Sequence, residues 1–366
     1  MHKVTAENEK RIFALLRAGL GIEPIDESLF DGVLPEQWSQ LYEIAIEQGI
    51  LGFAYDGAMQ LPSHLQPDID NKVQWAFNIE HIEKLYKNRL SNAQRLTKLY
   101  ADNAIRMMIM KGLTLAANYP TPSRREFGDI DIYLFGDYER GNEIIAAKGV
   151  AIKYDFFVHS EFMLGTTNVE NHRYFVNPDV NGYAKRTQQI LESLVVSATP
   201  HTTVEGAYMP SADFDFLFLL RHSSWHFARE SIRLRDICDW AMFLRNRGDK
   251  IDKMVARENL AATGLSRYAA ILNALVSKYL HIAPPFDVAE VDMATVERVK
   301  EDIFTFDNPE KHNNVSFLRA FFWKIRNRIE RQWCYGNIVP DSYFGNVGYS
   351  ILNYIKHPLA IFKAKI

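Results

Sequence analysis

Residues 126–134 read EFGDIDIYL, and the alternation within them decides the fold. In an extended chain, side chains two apart share a face, so Asp129 and Asp131 point one way while Ile130 and Ile132 point the other. Aspartate is depleted in strands. Two of them in three residues set like charges side by side, with Cα atoms roughly 6.5–7 Å apart. That spacing repels, and it also lets both carboxylates converge on a shared cation. Gly128 lets the backbone approach closely, and the isoleucines bury the other face. The bland alternative is a pair of solvated charges matched by Arg124 or Arg125. Mg2+ (or Mn2+), which takes carboxylate oxygens and substrate phosphates together, would relieve the repulsion.

Working outward, residues 105–205 read as a compact α/β unit. RMMIMKG is a short apolar run, LTLAANY is helical, PTPSRREFG is a loop and DIDIYLF is a strand. DYERGNEIIAAKG is a helix closed by Gly149. The runs AIKYDFFVHSEFML and NVENHRYFVN, separated by GTTN, read as a hairpin. Residues 1–104 carry apolar positions at helical spacing, with Trp38, Leu41, Ile44 and Ala45 in one stripe. Helical periodicity returns over 206–366, ending in the basic aromatic run FLRAFFWKIRNRIERQW and an irregular tail. The expected class is α+β: a small mixed-sheet core flanked by N-terminal and C-terminal helical regions.

Composition sets bounds. The chain has 366 residues, 47% hydrophobic and 24% charged, enough for more than one core. A formal net charge of −3 calls for no obligatory nucleic-acid or anionic-membrane partner. Cys238 and Cys334 have no partner at metal-ligand spacing, which suits a reducing compartment. The charged, amphipathic N-terminus lacks the apolar core of a secretory signal, and no segment offers about 18 uncharged apolar residues. A cytoplasmic protein without membrane insertion is expected.

The segment MKGLTLAANYPTPSRREFGDIDIYL resembles the signature of the uncharacterised bacterial nucleotidyltransferase family within the polymerase-beta-like superfamily. EQWSQLYEIAIEQGI, NVENHRYF and HSSWHFARESIRLRDICDWAMFL are similar to further family elements, so the likeness spans residues 35 to 245. It implies a nucleotidyltransferase core that uses Mg2+ and an NTP, ATP first among them, to transfer a nucleoside monophosphate with release of pyrophosphate. It also implies that Asp129 and Asp131 bind metal and that a third carboxylate on a neighbouring strand completes the site. Glu170 is the choice for that third ligand, because it shares one strand face with His172 while Val169 and Phe175 occupy the other. Glu161 in HSEF is the rival. Two metals about 3.5–4 Å apart would stabilise the attacking and leaving oxygens of an in-line displacement.

Lys111 and Gly112 close the first apolar run and open a helix, where an ammonium and backbone N–H groups would meet phosphate oxygens. The superfamily pattern has Gly-Ser or Gly-Gly here, so Lys111 would serve as a point charge in place of a small hydroxyl. Arg125 would reach the same phosphates or form a salt bridge to Glu126 or the aspartates. His222 and His226 lie four apart on a helix but lack a third zinc ligand, and read better, beside Arg235, Asp236 and Asp239, as polar residues buried between the helical and α/β parts and hydrogen-bonded within that group. Arg235 and Asp239 are candidates for lining the cleft. Arg319, Lys324, Arg326, Arg328 and Arg331 beside Phe321, Phe322 and Trp323 would bind RNA or a membrane surface, or pack aromatics inward and arginines outward. The acceptor stays open among a small molecule, a peptide or protein side chain and an RNA end. The rival function class is a nucleotide-binding sensor or scaffold that does no transfer.

Overall fold

The computed structural model describes residues 4–154, 158–305 and 317–342. The N-terminal hundred residues are helical, as expected: α1 (Ala6–Gly19), α2 (Pro35–Glu47), α3 (Leu51–Ala58) and α4 (Ile69–Asp102). Side-chain caps explain where two of them start. Thr5 accepts from the backbone N–H of Asn8, and Asp68 from those of Asp70 and Asn71, satisfying donors that the first helical turn cannot. Along α4, Trp75, Ile79, Ile82 and Tyr86, then Ala93, Leu96 and Tyr100, recur at three- and four-residue intervals and form its buried stripe.

The sheet strands are β1 (Met108–Met110), β2 (Asp129–Tyr133), β3 (Lys153–Tyr154), β4 (His159–Leu164), β5 (Thr167–His172), β6 (Thr199–Pro200) and β7 (Tyr208–Met209). Their spatial order is β3-β4-β5-β2-β1-β7-β6. β2 runs antiparallel to β1 and parallel to β5, while β5 closes an antiparallel hairpin with β4. The hairpin turn is Gly165–Thr166, shorter than the expected GTTN, with Gly165 at φ +61. α5 (Gly112–Ala116) and α6 (Tyr138–Ala147) interleave with the strands. β6 and β7 escape a sequence reading, because two-residue strands show no alternation. β7 pairs with β1 at Met108↔Tyr208, so the sheet reaches past residue 205.

Alternation gives the sheet two unlike faces. Ile109, Ile130, Ile132, Phe162 and Val169 pack with α4 residues such as Leu96 and Tyr100 in one core. On the other face, Met108 and Met110 join a larger core that runs from Ile12 through Phe214 to Ile303. That second core unites buried residues from all three segments of the chain. The later helices are α7 (Gly182–Leu194), α8 (Ala212–Glu230), α9 (Leu234–Arg247), α10 (Lys253–Thr263), α11 (Ser266–Leu280), α12 (Met293–Thr305) and α13 (Phe317–Glu330). Among the described residues, no helix is long and apolar enough to cross a membrane.

Of the basic aromatic run, Arg326 is exposed and pairs with Glu330, whereas Arg331 is buried and binds Asp302 at 2.8 Å. The side chains of Arg319, Phe321, Phe322 and Lys324, and the tail from residue 343, lie outside the described residues.

α1 and α3 cross at backbone contact. A Cβ on Gly57 would lie 2.1 Å from the Leu15 carbonyl oxygen, and backbone cannot yield as a side chain can. Gly57→Ala is therefore expected to destabilise the fold by at least about 1–3 kcal/mol, the usual range for overpacking, read from the midpoint of urea unfolding.

Candidate active site

The register of three strands assembles the site. Asp131 of β2 lies directly across from Glu170 of β5, and Glu170 from Glu161 of β4. One pleat along, Tyr133, His172 and His159 form a parallel row, and Asp129 faces Asn168 at the other end. All the odd-numbered positions of β2 thus share the face opposite its isoleucines. The register makes Glu170 the immediate neighbour of Asp131, with Glu161 one strand further out. Glu161 is also the more exposed, at 37% of its side chain against 12% for Glu170.

Asp131 is almost fully buried and accepts two partners at one oxygen. Lys111 Nζ lies 2.6 Å and His172 Nε2 3.0 Å from its Oδ1. Burial pushes the Asp131 carboxyl up, but the Lys111 ammonium and the His172 ring outweigh burial and hold it well below the usual carboxylate range. Burial likewise pulls at the Lys111 ammonium, yet Asp131, Glu170 and Asp129 together raise it. Glu170 goes the other way. Burial, then the charges of Asp131 and Asp129, push its carboxyl up to about 9.

Lys111 reaches Asp131 from a strained backbone. It sits between β1 and α5 at φ +49, a region that a residue with a Cβ enters at a cost of about 1–3 kcal/mol. Gly112 follows because a Cβ there would lie 3.0 Å from the Phe127 ring and 3.3 Å from the Asp129 carbonyl oxygen. Gly112 is buried, α5 is only five residues long, and its role is close packing against β2 rather than anion capture. Gly128 is exposed, and a Cβ on it would meet no other atom. The space beside Asp129 is therefore open. Arg89 of α4 lies along this rim, donating to the Gly128 carbonyl at 3.2 Å. Burial lowers the Arg89 guanidinium and the charge of Asp129 opposes that.

The opposite wall comes from α8. The Lys111 ammonium lies 5.9 Å from the Phe218 ring centroid, and Phe218 leads to His222 and His226, whose rings touch edge to face at 4.7 Å. Burial and the Lys111 ammonium hold the His222 ring well below its ordinary value. His226 bonds to Glu230 and is 38% exposed, which corrects the expectation that it is buried.

Two expected ligand-contacting residues serve the scaffold instead. Arg125 and Asp239 are buried against one another in a bidentate pair, Nε to Oδ1 at 2.6 Å and Nη2 to Oδ2 at 2.7 Å. Tyr119 donates to the same Oδ1, and Arg125 also donates to the Gly112 carbonyl. The partner of Arg125 is neither Glu126 nor the aspartate pair, because the loop before β2 turns it toward α9. Arg235 rests against Gly49, donates its backbone N–H to the Gln48 carbonyl and sits 3.9 Å from Asp236.

Asp129, Asp131 and Glu170 are hard-oxygen donors on one sheet face, the type a divalent cation takes. Burial, then the charges of Asp131 and Asp129, raise Glu170, and a cation would reverse that. Among the described residues, the three are not drawn into a set with all ligand atoms within 4.8 Å. A family model described as "Uncharacterised nucleotidyltransferase" matches residues 35–281, about two thirds of the chain. The chain belongs to this family. The match runs beyond residue 245 to the end of α11, and membership supports a role in nucleotidyl transfer. No curated protein and no solved structure matches the chain.

The fold adds two residues to this neighbourhood, His159 and Arg89. His159 lies on the site face of β4 with the same alternation as Glu161, a signal the sequence carried. Arg89 had none, being one cation among several on a long helix.

Two outcomes test this arrangement. Arg125→Met strands the Asp239 carboxylate in the interior and is expected to cost about 3–5 kcal/mol in urea unfolding. Glu170 holds its proton in the folded chain between its ordinary 4.5 and about 9, whereas the unfolded chain has lost it. In EDTA, stability should therefore fall as pH rises through that window, by at most about 1.4 kcal/mol per unit. The lowered Asp131 contributes slope only below its ordinary 3.8. Urea titrations of Glu170→Gln should show this downward slope removed.

Proposed function

We propose that the chain is a metal-dependent nucleotidyltransferase acting on an NTP, with ATP as the first nucleotide to test. The observation that carries this reading is the parallel register setting Asp131 beside Glu170 with Asp129 one pleat away, in a chain of a nucleotidyltransferase family. In the reaction an acceptor hydroxyl oxygen bonds to the α-phosphorus and gives up its proton to solvent, the bond from phosphorus to the bridging oxygen breaks, and pyrophosphate leaves. The acceptor class is a small molecule, a peptide or protein side chain, or an RNA end.

Asp129, Asp131 and Glu170 would hold Mg2+ or Mn2+, which supplies Lewis acidity toward the phosphate oxygens when bound. Lys111 is a buried ammonium already facing the carboxylates, and triphosphate oxygens offer it an alternative anionic partner. Arg89 at the open rim beside Gly128 is the second cation within reach of a phosphate tail. His172 orients the Asp131 carboxylate through its 3.0 Å contact. The apolar wall of Tyr133, Phe175 and Phe218 keeps that end of the row dry.

One observation favours a second reading, a nucleotide sensor that does not turn its ligand over. Asp131 is already satisfied by Lys111 and His172, so a cation must compete for it. ATP labelled at the α-phosphorus separates the two. Transfer of label with stoichiometric pyrophosphate is the expected outcome, and Asp131→Asn should lower its rate by about two to four orders of magnitude, the worth of several kcal/mol. Saturable Mg2+-dependent ATP binding with no pyrophosphate would establish the sensor instead.

A further inference from the structure

Beside the carboxylate row lies a second donor set, and it contains nitrogen. The antiparallel pairing of β4 with β5 sets His159 directly across from His172, with ring centroids 5.2 Å apart. Glu170, two residues before His172, projects from the same face. His159 Nε2 is 3.7 Å and His172 Nε2 3.8 Å from the same oxygen, Glu170 Oε2. Among the described residues, these three form the group of His, Cys, Asp or Glu whose ligand atoms all lie within 4.8 Å of one another. Tetrahedral bonds of about 2.1 Å put ligand atoms roughly 3.4 Å apart, a few tenths of an ångström inside the two histidine–glutamate distances, while the histidine pair lies within 4.8 Å.

His172 is oriented as metal-bound imidazoles are. Its Nδ1 lies 3.2 Å from the Tyr174 carbonyl oxygen, which can only accept, and its Nε2 turns toward the carboxylates, where a bound metal would take the place of the proton that Asp131 accepts. A backbone carbonyl behind the ring is a recurrent partner of ligating histidines. The three side chains are also withdrawn from water, at 16%, 12% and 6% exposure for His159, Glu170 and His172. Neighbouring carboxylates add negative charge, with Glu161 Oε1 3.5 Å from His159 Nε2 and Asp131 Oδ1 3.0 Å from His172 Nε2.

We infer that His159, Glu170 and His172 form a site for a divalent first-row transition metal of the kind imidazole accepts, distinct in preference from Mg2+. Two histidines and one carboxylate suit Zn2+, Co2+ or Fe2+ and leave positions open for a further ligand, whereas Mg2+ favours oxygen alone. The site shares Glu170 with the proposed transfer centre but does not include Asp129, and it stands whether or not transfer occurs.

The test uses the full chain stripped of metal with EDTA and Zn2+ as the probe, by equilibrium dialysis against excess Mg2+. One equivalent of Zn2+ is expected to stay bound in that excess. His159→Asn, checked for retained fold by circular dichroism, should weaken Zn2+ by at least about tenfold. Asp129→Asn should leave Zn2+ affinity within about twofold. Displacement of Zn2+ by Mg2+, or undiminished affinity in a folded His159→Asn, overturns the site. Should that variant not fold, X-ray absorption of the wild-type chain loaded with Co2+ decides: imidazole scattering supports the site, and an all-oxygen shell overturns it. Pyrophosphate release by the wild type without selective Zn2+ binding would remove this inference alone, and Zn2+ binding without release would remove the transfer reading alone.

Discussion

The parallel register between β2 and β5 is the constraint on which the rest of the site depends. It forces Asp131 and Glu170 side by side on one sheet face, while Ile130, Ile132 and Val169 are committed to the core behind it. A slip by one residue would turn both carboxylates into that core and the isoleucines out of it, so hydrophobic burial itself enforces the crowding of charge. The crowding is then divided unequally. Lys111 and His172 hold the Asp131 carboxyl low against its burial, while burial and then the neighbouring charges push Glu170 up. Such a pair, pushed in opposite directions by its surroundings, is the electrostatic pattern of sites that handle cations or protons.

The surrounding helices hold this arrangement through buried polar struts as well as apolar contact. Arg125 and Asp239 link the loop before β2 to α9, Arg331 and Asp302 link the 3-10 turn after α13 to α12, and Arg221 and Asp341 secure α8 at 2.8 Å. α8 in turn places Phe218 and His222 over Lys111. Pairs of this kind are weak contributors to net stability, since desolvation offsets attraction, but they penalise every arrangement that leaves one partner alone. They fix where the helical shell sits over the carboxylates, which is how residues far from the site come to shape its walls.

Much of this was legible in the chain alone. The alternation in DIDIY announced a strand with a charged face, the Lys-Gly after MIM announced a strand-to-helix junction, and the helical spacing around Trp38 announced the shell. Local period and composition are short-range signals, and they survive in the folded protein because burial rewards them. The two-residue strands β6 and β7 left no such trace. The hairpin turn was placed correctly in outline but one pair too long, since turn length depends on which residues enter the ladder.

By itself the sequence determined which residue types face together along each element, and so the acidic character of the β2 face and the family to which the chain belongs. Only the tertiary structure decided the pairings between elements: that Glu170 rather than Glu161 adjoins Asp131, that Arg125 and Asp239 neutralise one another, and that His159 meets His172. The physical reason is range. Alternation is set by the chain's own backbone geometry, whereas a partner for a charge is chosen by register and helix packing among residues far apart in sequence, where several oppositely charged candidates are chemically equivalent until the fold selects one.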